Sequence, residues 1–295
     1  MTAVKRYVKA ASAAEALAAK RADPSAAYLA GGTLLLAGDG RSKPESVIDL
    51  GSALPLGVHS QGARLEDALA GGQEFSDVLS IGAGTSLQEI AESNETPECI
   101  AQAALSMVNR NTRNRGSIGG NLAADKSFSS LIPILIALEA EVEVASPASS
   151  EPQRFELEAW LRSRAEKPEL VRASDLLLRV LVPLREGRFA AYRRWSRVSC
   201  DLSVLGAAVA YGIEGPPGAG NLRGLRIALG GLGPKARRFP VLEALFEGSP
   251  LPTRESIEAA VAPLLRPIDD LRASAAFKRL RGAQLLADAL IEASV

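Results

Sequence analysis

The sequence is poor in the residues that most often carry chemistry by themselves. Among 295 residues there is one histidine, His59, and there are two cysteines, Cys99 and Cys200. The cysteines are far apart and no Cys-x-x-Cys pair occurs, so the chain lacks the ligand spacing of an iron–sulfur cluster or a zinc site. Net charge is also missing: 34 basic residues cancel 34 acidic ones, which leaves no overall field to draw in nucleic acid or an anionic membrane. No long apolar run is present. The longest, Leu131 to Leu138, ends at Glu139, well short of the ~20 residues that span a bilayer. Lys9, Glu15, Lys20 and Arg21 interrupt the region after Lys5 and Arg6, so no secretory apolar segment is recognisable there and a cytoplasmic location is expected. A composition of 47% hydrophobic and 23% charged residues suits a folded chain of two or three packed units.

Glycine, by contrast, is concentrated where a ligand could use it. Arg113-Asn114-Arg115-Gly116-Ser117-Ile118-Gly119-Gly120-Asn121 puts two arginines, three glycines and several small polar side chains into one short stretch. Glycines tolerate positive φ and let backbone approach a ligand, so successive N–H groups can converge on phosphate oxygens, with Ser117 and Asn121 adding side-chain bonds. Such a stretch can equally be a plain turn. A second one, Ala30-Gly31-Gly32-Thr33, follows the strand-like Ala27 to Leu29 and precedes the apolar Leu34 to Ala37. Two cradles in one chain suit a ligand with two linked phosphates, and a helix starting near Thr33 would add its dipole. Neither stretch has the Gly-x-Gly-x-x-Gly spacing of a dinucleotide fold or the Lys-Ser/Thr ending of a P-loop.

Periodicity predicts alternating strands and helices. Val4 to Val8 reads as a strand, and Ser12 with Glu15 as a capping box for a helix through Ala22. Strands at Ala27 to Leu29 and Val47 to Leu50 then complete a β-α-β unit with parallel strands. Gly71-Gly72 marks a turn, Val78 to Ile81 a strand, and Thr85 with Gln88 or Ser86 with Glu89 caps the next helix. Further helices are expected at Glu98 to Met107 and Leu131 to Leu138, and strands at Glu141 to Val144 and Leu176 to Leu184. A second unit begins near Arg185, with strands at Arg188 to Trp195, Val204 to Tyr211 and Leu225 to Leu229. Gly215-Pro216-Pro217-Gly218 joins the last two. Helices follow at Val241 to Phe246, Arg254 to Leu265 and Ser274 to Ala293.

The order of Ala30-Gly31-Gly32-Thr33, Arg113 to Asn121 and Pro133 to Ala140 resembles the FAD-binding subunit of molybdenum hydroxylases, the xanthine dehydrogenase and carbon monoxide dehydrogenase family. The second half is similar to that family's flavoprotein C-terminal domain through Tyr192-Arg193-Arg194 with Asp201, Ala228-Leu229-Gly230-Gly231 and Arg272-Ala273-Ser274. The resemblance implies an α+β chain. Residues 1–184, divided near 55, would form the two-subdomain FAD-binding fold of the vanillyl-alcohol-oxidase type, and 185–295 a small antiparallel sheet with a helical C-terminal layer. It implies FAD as cofactor, held by Ala30, Gly31, Gly32, Thr33, Leu34, Ser117, Gly119, Gly120, Asn121, Ser130 and Arg194. It also implies a molybdenum-cofactor subunit and a [2Fe–2S] subunit as partners, with the flavin passing electrons to NAD or another acceptor.

Two positions depart from the family pattern. Ser130 stands where the family has an aspartate on the ribose side of FAD, a loss worth on the order of 1–3 kcal/mol. Arg194, or Arg193 in an alternative alignment, replaces a lysine near the flavin ring; it keeps the charge but not the geometry, and is the expected catalytic residue. Trp160, Trp195 and Tyr192 read as packing aromatics, Met107 as either a core filler or a neighbour of the ring, Cys200 as a buried small hydrophobe and His59 as a surface loop residue. Arg110, Arg113 and Arg115 are either a solvated basic turn or a contact for an acidic ligand or partner. A stand-alone flavin oxidoreductase of the same fold, or a scaffold that has lost FAD, are the alternative functions.

Overall fold

The computed structural model describes residues 4–37, 44–62, 77–147, 149, 151–166, 174–216 and 220–293. The Gly71-Gly72 turn and part of the 215–218 connection lie outside them. A three-stranded parallel sheet opens the chain, with β1 (Arg6–Lys9), α1 (Ala13–Ala22), β2 (Ala27–Leu29) and β3 (Ser46–Asp49) in strand order β1-β3-β2. Ser12 caps α1 by accepting from Glu15 N at 3.2 Å, while the Glu15 carboxylate accepts from Ala11 N at 2.8 Å. The helix expected at Thr33 does not form. Gly32 sits at φ 71°, and residues 33–36 make a turn closed by Leu36 N to Gly32 O at 3.0 Å.

The middle of the chain builds a five-stranded antiparallel sheet from β4 (Val58–Gly62), β5 (Asp77–Gly82), β6 (Glu141–Ala145), β7 (Gln153–Glu156) and β8 (Leu176–Leu184), in order β4-β5-β8-β6-β7. Its helices are α2 (Leu87–Glu92), α3 (Glu98–Leu105), α4 (Arg110–Arg115), α5 (Ile118–Ala124), α6 (Leu131–Ala137) and α7 (Leu157–Glu166). Ser86 and Glu89 make the capping box of α2; β4, β7 and α7 show no clear sequence period. All seven residues of α6 are buried. Each large aliphatic among them contributes roughly 1.5–3 kcal/mol of burial, which is why an all-round apolar helix belongs in the centre.

The last sheet runs β12-β11-β10-β9, all antiparallel, from β9 (Arg188–Trp195), β10 (Leu205–Glu214), β11 (Asn221–Gly230) and β12 (Arg237–Arg238). Three helices follow: α8 (Pro240–Phe246), α9 (Arg254–Val261) and α10 (Ala275–Glu292). Both faces of this sheet are covered, and the two-residue period says by what. Ala207, Val209, Tyr211, Leu225, Ile227 and Leu229 join the core under the C-terminal helices. Ala208, Ala210 and Ala228 on the other face join the core of the preceding unit. Small alanines on that face let α6 approach β10 and β11 closely.

Charge then ties the units together. Glu139, directly after α6 at φ 57°, accepts from Arg226 Nε at 2.8 Å, from Arg188 Nη1 at 2.8 Å and from Arg185 Nη1. A left-handed residue at a helix end is normally glycine. Here the carboxylate that three guanidiniums share offsets the strain of a side chain at that φ. Lys235 makes a second tie, reaching Asp125 Oδ2 at 2.5 Å and Asp125 O at 2.8 Å, and Arg272 a third, lying 4.8 Å over the Phe128 ring.

Candidate functional site

A cavity of about 630 Å³ opens where these units meet, a volume suited to a cofactor-sized ligand. It is lined by Ala30, Gly31, Gly32, Thr33 and Leu34 after β2, by Gly116 and Ser117 between α4 and α5, by Gly120 and Asn121 of α5, by Lys126, Phe128 and Ser130 before α6, and by Arg194, Asp201 and Ser203 of the third unit. The two glycine stretches touch directly. A Cβ on Gly31 would stand 1.6 Å from Arg115 O, so only glycine lets the loops meet here, by close approach rather than by a left-handed φ.

The loops differ from each other in what they offer. Among the described residues, the N–H groups of Gly31, Gly32, Thr33 and Leu34 donate to no protein acceptor, so they remain available to an anion. The second stretch, read from sequence as a loop, is instead two short helices joined at Gly116, with Ser117 as the N-cap of α5. Its N–H groups are mostly spent. Ile118 N donates to Thr85 O at 3.0 Å, Gly119 N to Ala83 O at 2.9 Å and Gly120 N to Ser117 Oγ at 3.2 Å. The expected nest of positive-φ glycines is therefore corrected: Gly116, Gly119 and Gly120 all lack it. Gly119 is buried, does not line the cavity, and is glycine because a Cβ would stand 2.8 Å from Ala83 O. Gly120 and Ser117 remain as wall, the latter with a hydroxyl proton to donate.

Asn121 also has less to give than its position suggests. Its Oδ1 accepts from Ser129 Oγ at 2.6 Å and its Nδ2 faces Met107 Sδ at 3.9 Å. Ser130 is buried and bonds Ser106 Oγ at 3.1 Å. Of the three arginines, Arg110 pairs with Glu92 at the surface at 2.9 Å. Arg113 lines the cavity but is held by Gln88 Oε1 at 2.8 Å and by the carbonyls of Leu105 and Met107. Arg115 is exposed.

Arg193 and Arg194 point apart, as neighbours on a strand must. Arg193 turns to Gln102 Oε1 at 3.3 Å and to Glu292, whereas Arg194 lines the cavity, donating to Asp201 O at 3.1 Å and to Ser199 O. Arg113, Lys126 and Arg194 thus face the cavity against one carboxylate, Asp201, which Arg197 already pairs at 2.9 Å. The hydrogen bonds from Leu202 N and Arg197 hold that carboxyl below its ordinary pKa, so it stays ionised. Tyr28, Lys126, Phe128, Asp201 and Ser203 are cavity residues that sequence reasoning did not place there. Only Asp201 carried a signal, through its motif. Val108, a β-branched cavity residue, has φ 46°, strain of a kind that gathers at functional sites.

Cys200 is exposed, not buried as expected, while Cys99 is buried and its thiol is pushed up to about 11 by desolvation. Thiol titration of the native protein at pH 8 should therefore label one cysteine quickly, and the second only after denaturation. His59 is exposed on β4 rather than in a loop, and Trp160 packs in the core.

Comparison with known proteins decides the family. Residues 2–185 match the model described as the FAD binding domain in molybdopterin dehydrogenase, and residues 190–293 match the CO dehydrogenase flavoprotein C-terminal domain. The chain belongs to this family. It is an FAD-binding oxidoreductase subunit of the molybdenum hydroxylase type. Uncharacterized protein YgfM of Escherichia coli is 32% identical over 71% of this chain and 71% of its own length. The nicotine 6-hydroxylase medium subunit of Paenarthrobacter nicotinovorans is 28% identical over 98% of this chain and 96% of its own. Among solved structures, carbon monoxide dehydrogenase from Hydrogenophaga pseudoflava superposes with a TM-score of 0.82 at 25% identity, covering 99% of this chain and 98% of that one. Among the described residues no helix is long and apolar enough to cross a membrane.

Proposed function

We propose that this chain is the electron outlet of a cytoplasmic, multi-subunit molybdenum hydroxylase. A molybdenum-cofactor subunit would oxidise the substrate, and a [2Fe–2S] subunit would relay electrons to FAD on this chain and on to NAD or another acceptor. In this reading residues 1–184 are the FAD-binding unit and 185–295 close the site over the ring. The observation that carries it is a cavity shared by all units, with four unclaimed N–H groups on one wall and three cations against one paired carboxylate. That arrangement fits a dianionic pyrophosphate joined to ring systems.

Each group then has a role. Gly31 to Leu34 bind the pyrophosphate through backbone N–H, with the Ser117 hydroxyl beside them. Leu34, Met107 and Phe128 offer apolar surface to rings and keep water out. FAD, when bound, supplies the acceptance of an electron pair and its release singly or together. Arg194, clamped by two loop carbonyls, holds a fixed positive charge where negative charge gathers, a preorganised form of electrostatic stabilisation.

The test is direct. The purified chain should be yellow and release FAD, contain no molybdenum or iron of its own, and oxidise NADH slowly with an artificial acceptor. Substrate hydroxylation should need both partner subunits. Arg194→Ala should slow flavin reduction by on the order of tenfold or more while leaving FAD in place. A folded, colourless protein that cannot be reconstituted with FAD would remove the proposal. FAD without NADH activity would point to another acceptor.

A further inference from the structure

Two buried hydroxyls beside the cavity have no hydrogen-bond partner. Ser203 lines the cavity at 4% exposure, and Tyr192, on β9, is 3% exposed and does not line it. Neither Ser203 Oγ nor Tyr192 Oη is bonded. The hydroxyls of Ser130 and Ser203 stand close enough to Tyr192 to oppose the rise that burial imposes on its phenol, yet neither meets hydrogen-bonding geometry with it. Space for the phenol is built in. A Cβ on Gly206, in the facing strand β10, would stand 2.8 Å from Tyr192 Oη. Burial keeps the phenol protonated at neutral pH, so it is a donor, and Ser203 can donate as well. Arg194 is two residues along β9 from Tyr192, on the same strand face, and its charge acts on that phenol. Buried polar groups are nearly always satisfied, and those that are not point to an unseen partner.

We propose that Ser203 and Arg194, which line the cavity, form with the Tyr192 phenol beside Ser203 a donor set for the electron-rich pyrimidine edge of the flavin ring, and so favour the reduced, negatively charged ring over the oxidised one. The inference rests on the FAD reading above. The backbone N–H groups after β2 serve the pyrophosphate, and the sugar and ribityl hydroxyls carry no charge. The ring edge is the remaining part of FAD that gains negative charge, when two electrons and one proton from a reductant enter it. Tyr192 and Ser203 act as positioning donors, and no proton moves to or from them.

The experiment uses the full chain with Tyr192→Phe, Ser203→Ala and the double variant. Midpoint potentials are measured against dye standards, FAD dissociation constants by fluorescence, and apo-protein melting separately. The double variant should lose about tenfold of its preference for reduced over oxidised FAD, which lowers the two-electron midpoint by about 30 mV. The apo-protein should melt no lower than wild type, because the hydroxyls removed make no bond in it. An unchanged potential with FAD bound would overturn the donor set while the flavoprotein reading stands, and a lower apo melting point beside it would assign both hydroxyls to packing. Failure of the wild-type chain to bind FAD would instead bring down the proposed function, and this inference with it.

Discussion

Gly31→Ala is expected to strip FAD from a chain that still folds. The added Cβ would fall 1.6 Å from Arg115 O, and next to it stands Gly116 Cα at 3.2 Å. Both neighbours are backbone, so no side chain can swing aside. The segment after β2 must separate from the junction of α4 and α5, which pulls the four unclaimed N–H groups away from Ser117. Neither hydrophobic core includes Gly31, so circular dichroism should be preserved. FAD affinity should fall at least about 100-fold, equivalent to about 3 kcal/mol. Gly233→Ala is the control, since nothing lies within 4 Å of a Cβ there and affinity should not change. Full flavin occupancy in Gly31→Ala would mean that the cofactor does not use the contact between the two glycine segments.

Glu139→Ala should be the most destabilising single change at the surface between units. The carboxylate is the shared partner of Arg185, Arg188 and Arg226, all mostly buried. Removing it takes the shared carboxylate away from three guanidiniums, and breaking a buried pair from one side typically costs 3–5 kcal/mol. Relief of the side chain's left-handed φ is not part of that change, because alanine suffers it too. Glu139→Gln keeps the shape and removes the charge, so it separates electrostatics from packing and should recover only a minor part of the loss. Urea unfolding monitored by tryptophan fluorescence would measure both, Trp160 lying in the first core and Trp195 packed against the second. A loss of under 1 kcal/mol in Glu139→Ala would show that the cluster is solvated and contributes as weakly as an ordinary surface pair.

Cavity-lining positions were legible from sequence where a motif is also a local structure. Gly31 to Leu34 were readable as a candidate anion cradle because a second glycine stretch accompanied them at the end of a strand, and their N–H groups are unclaimed among the described residues. Arg194 was readable through Tyr192-Arg193-Arg194, but its alternative Arg193 was not dismissed until the strand's alternation sent that side chain to Gln102 and Glu292. Gly119 was misread. The glycine-rich stretch looked like a phosphate nest, whereas a Cβ on Gly119 would stand 2.8 Å from Ala83 O, a contact with a residue far away in the chain.

The sequence by itself determined many of the elements and the cofactor class, though not α4, β4, β7 or α7. Alternation specified β6, an uninterrupted apolar run specified α6, and Ser12, Ser86 and Ser274 specified helix starts. These are short-range signals, carried within one or two turns of backbone. Only the tertiary structure decided which polar groups remain free to meet a ligand. Asn121, Arg113 and several N–H groups of the second glycine stretch look available in sequence and are spent on Ser129, Gln88, Ala83 and Thr85, while Tyr192 reads as a packing aromatic and its hydroxyl, like that of Ser203, has no hydrogen-bond partner among the described residues. Hydrogen-bond capacity is a count over neighbours in space, and those neighbours come from α2, the turn after β5 and the segment before α6, which only the fold brings to the second glycine stretch.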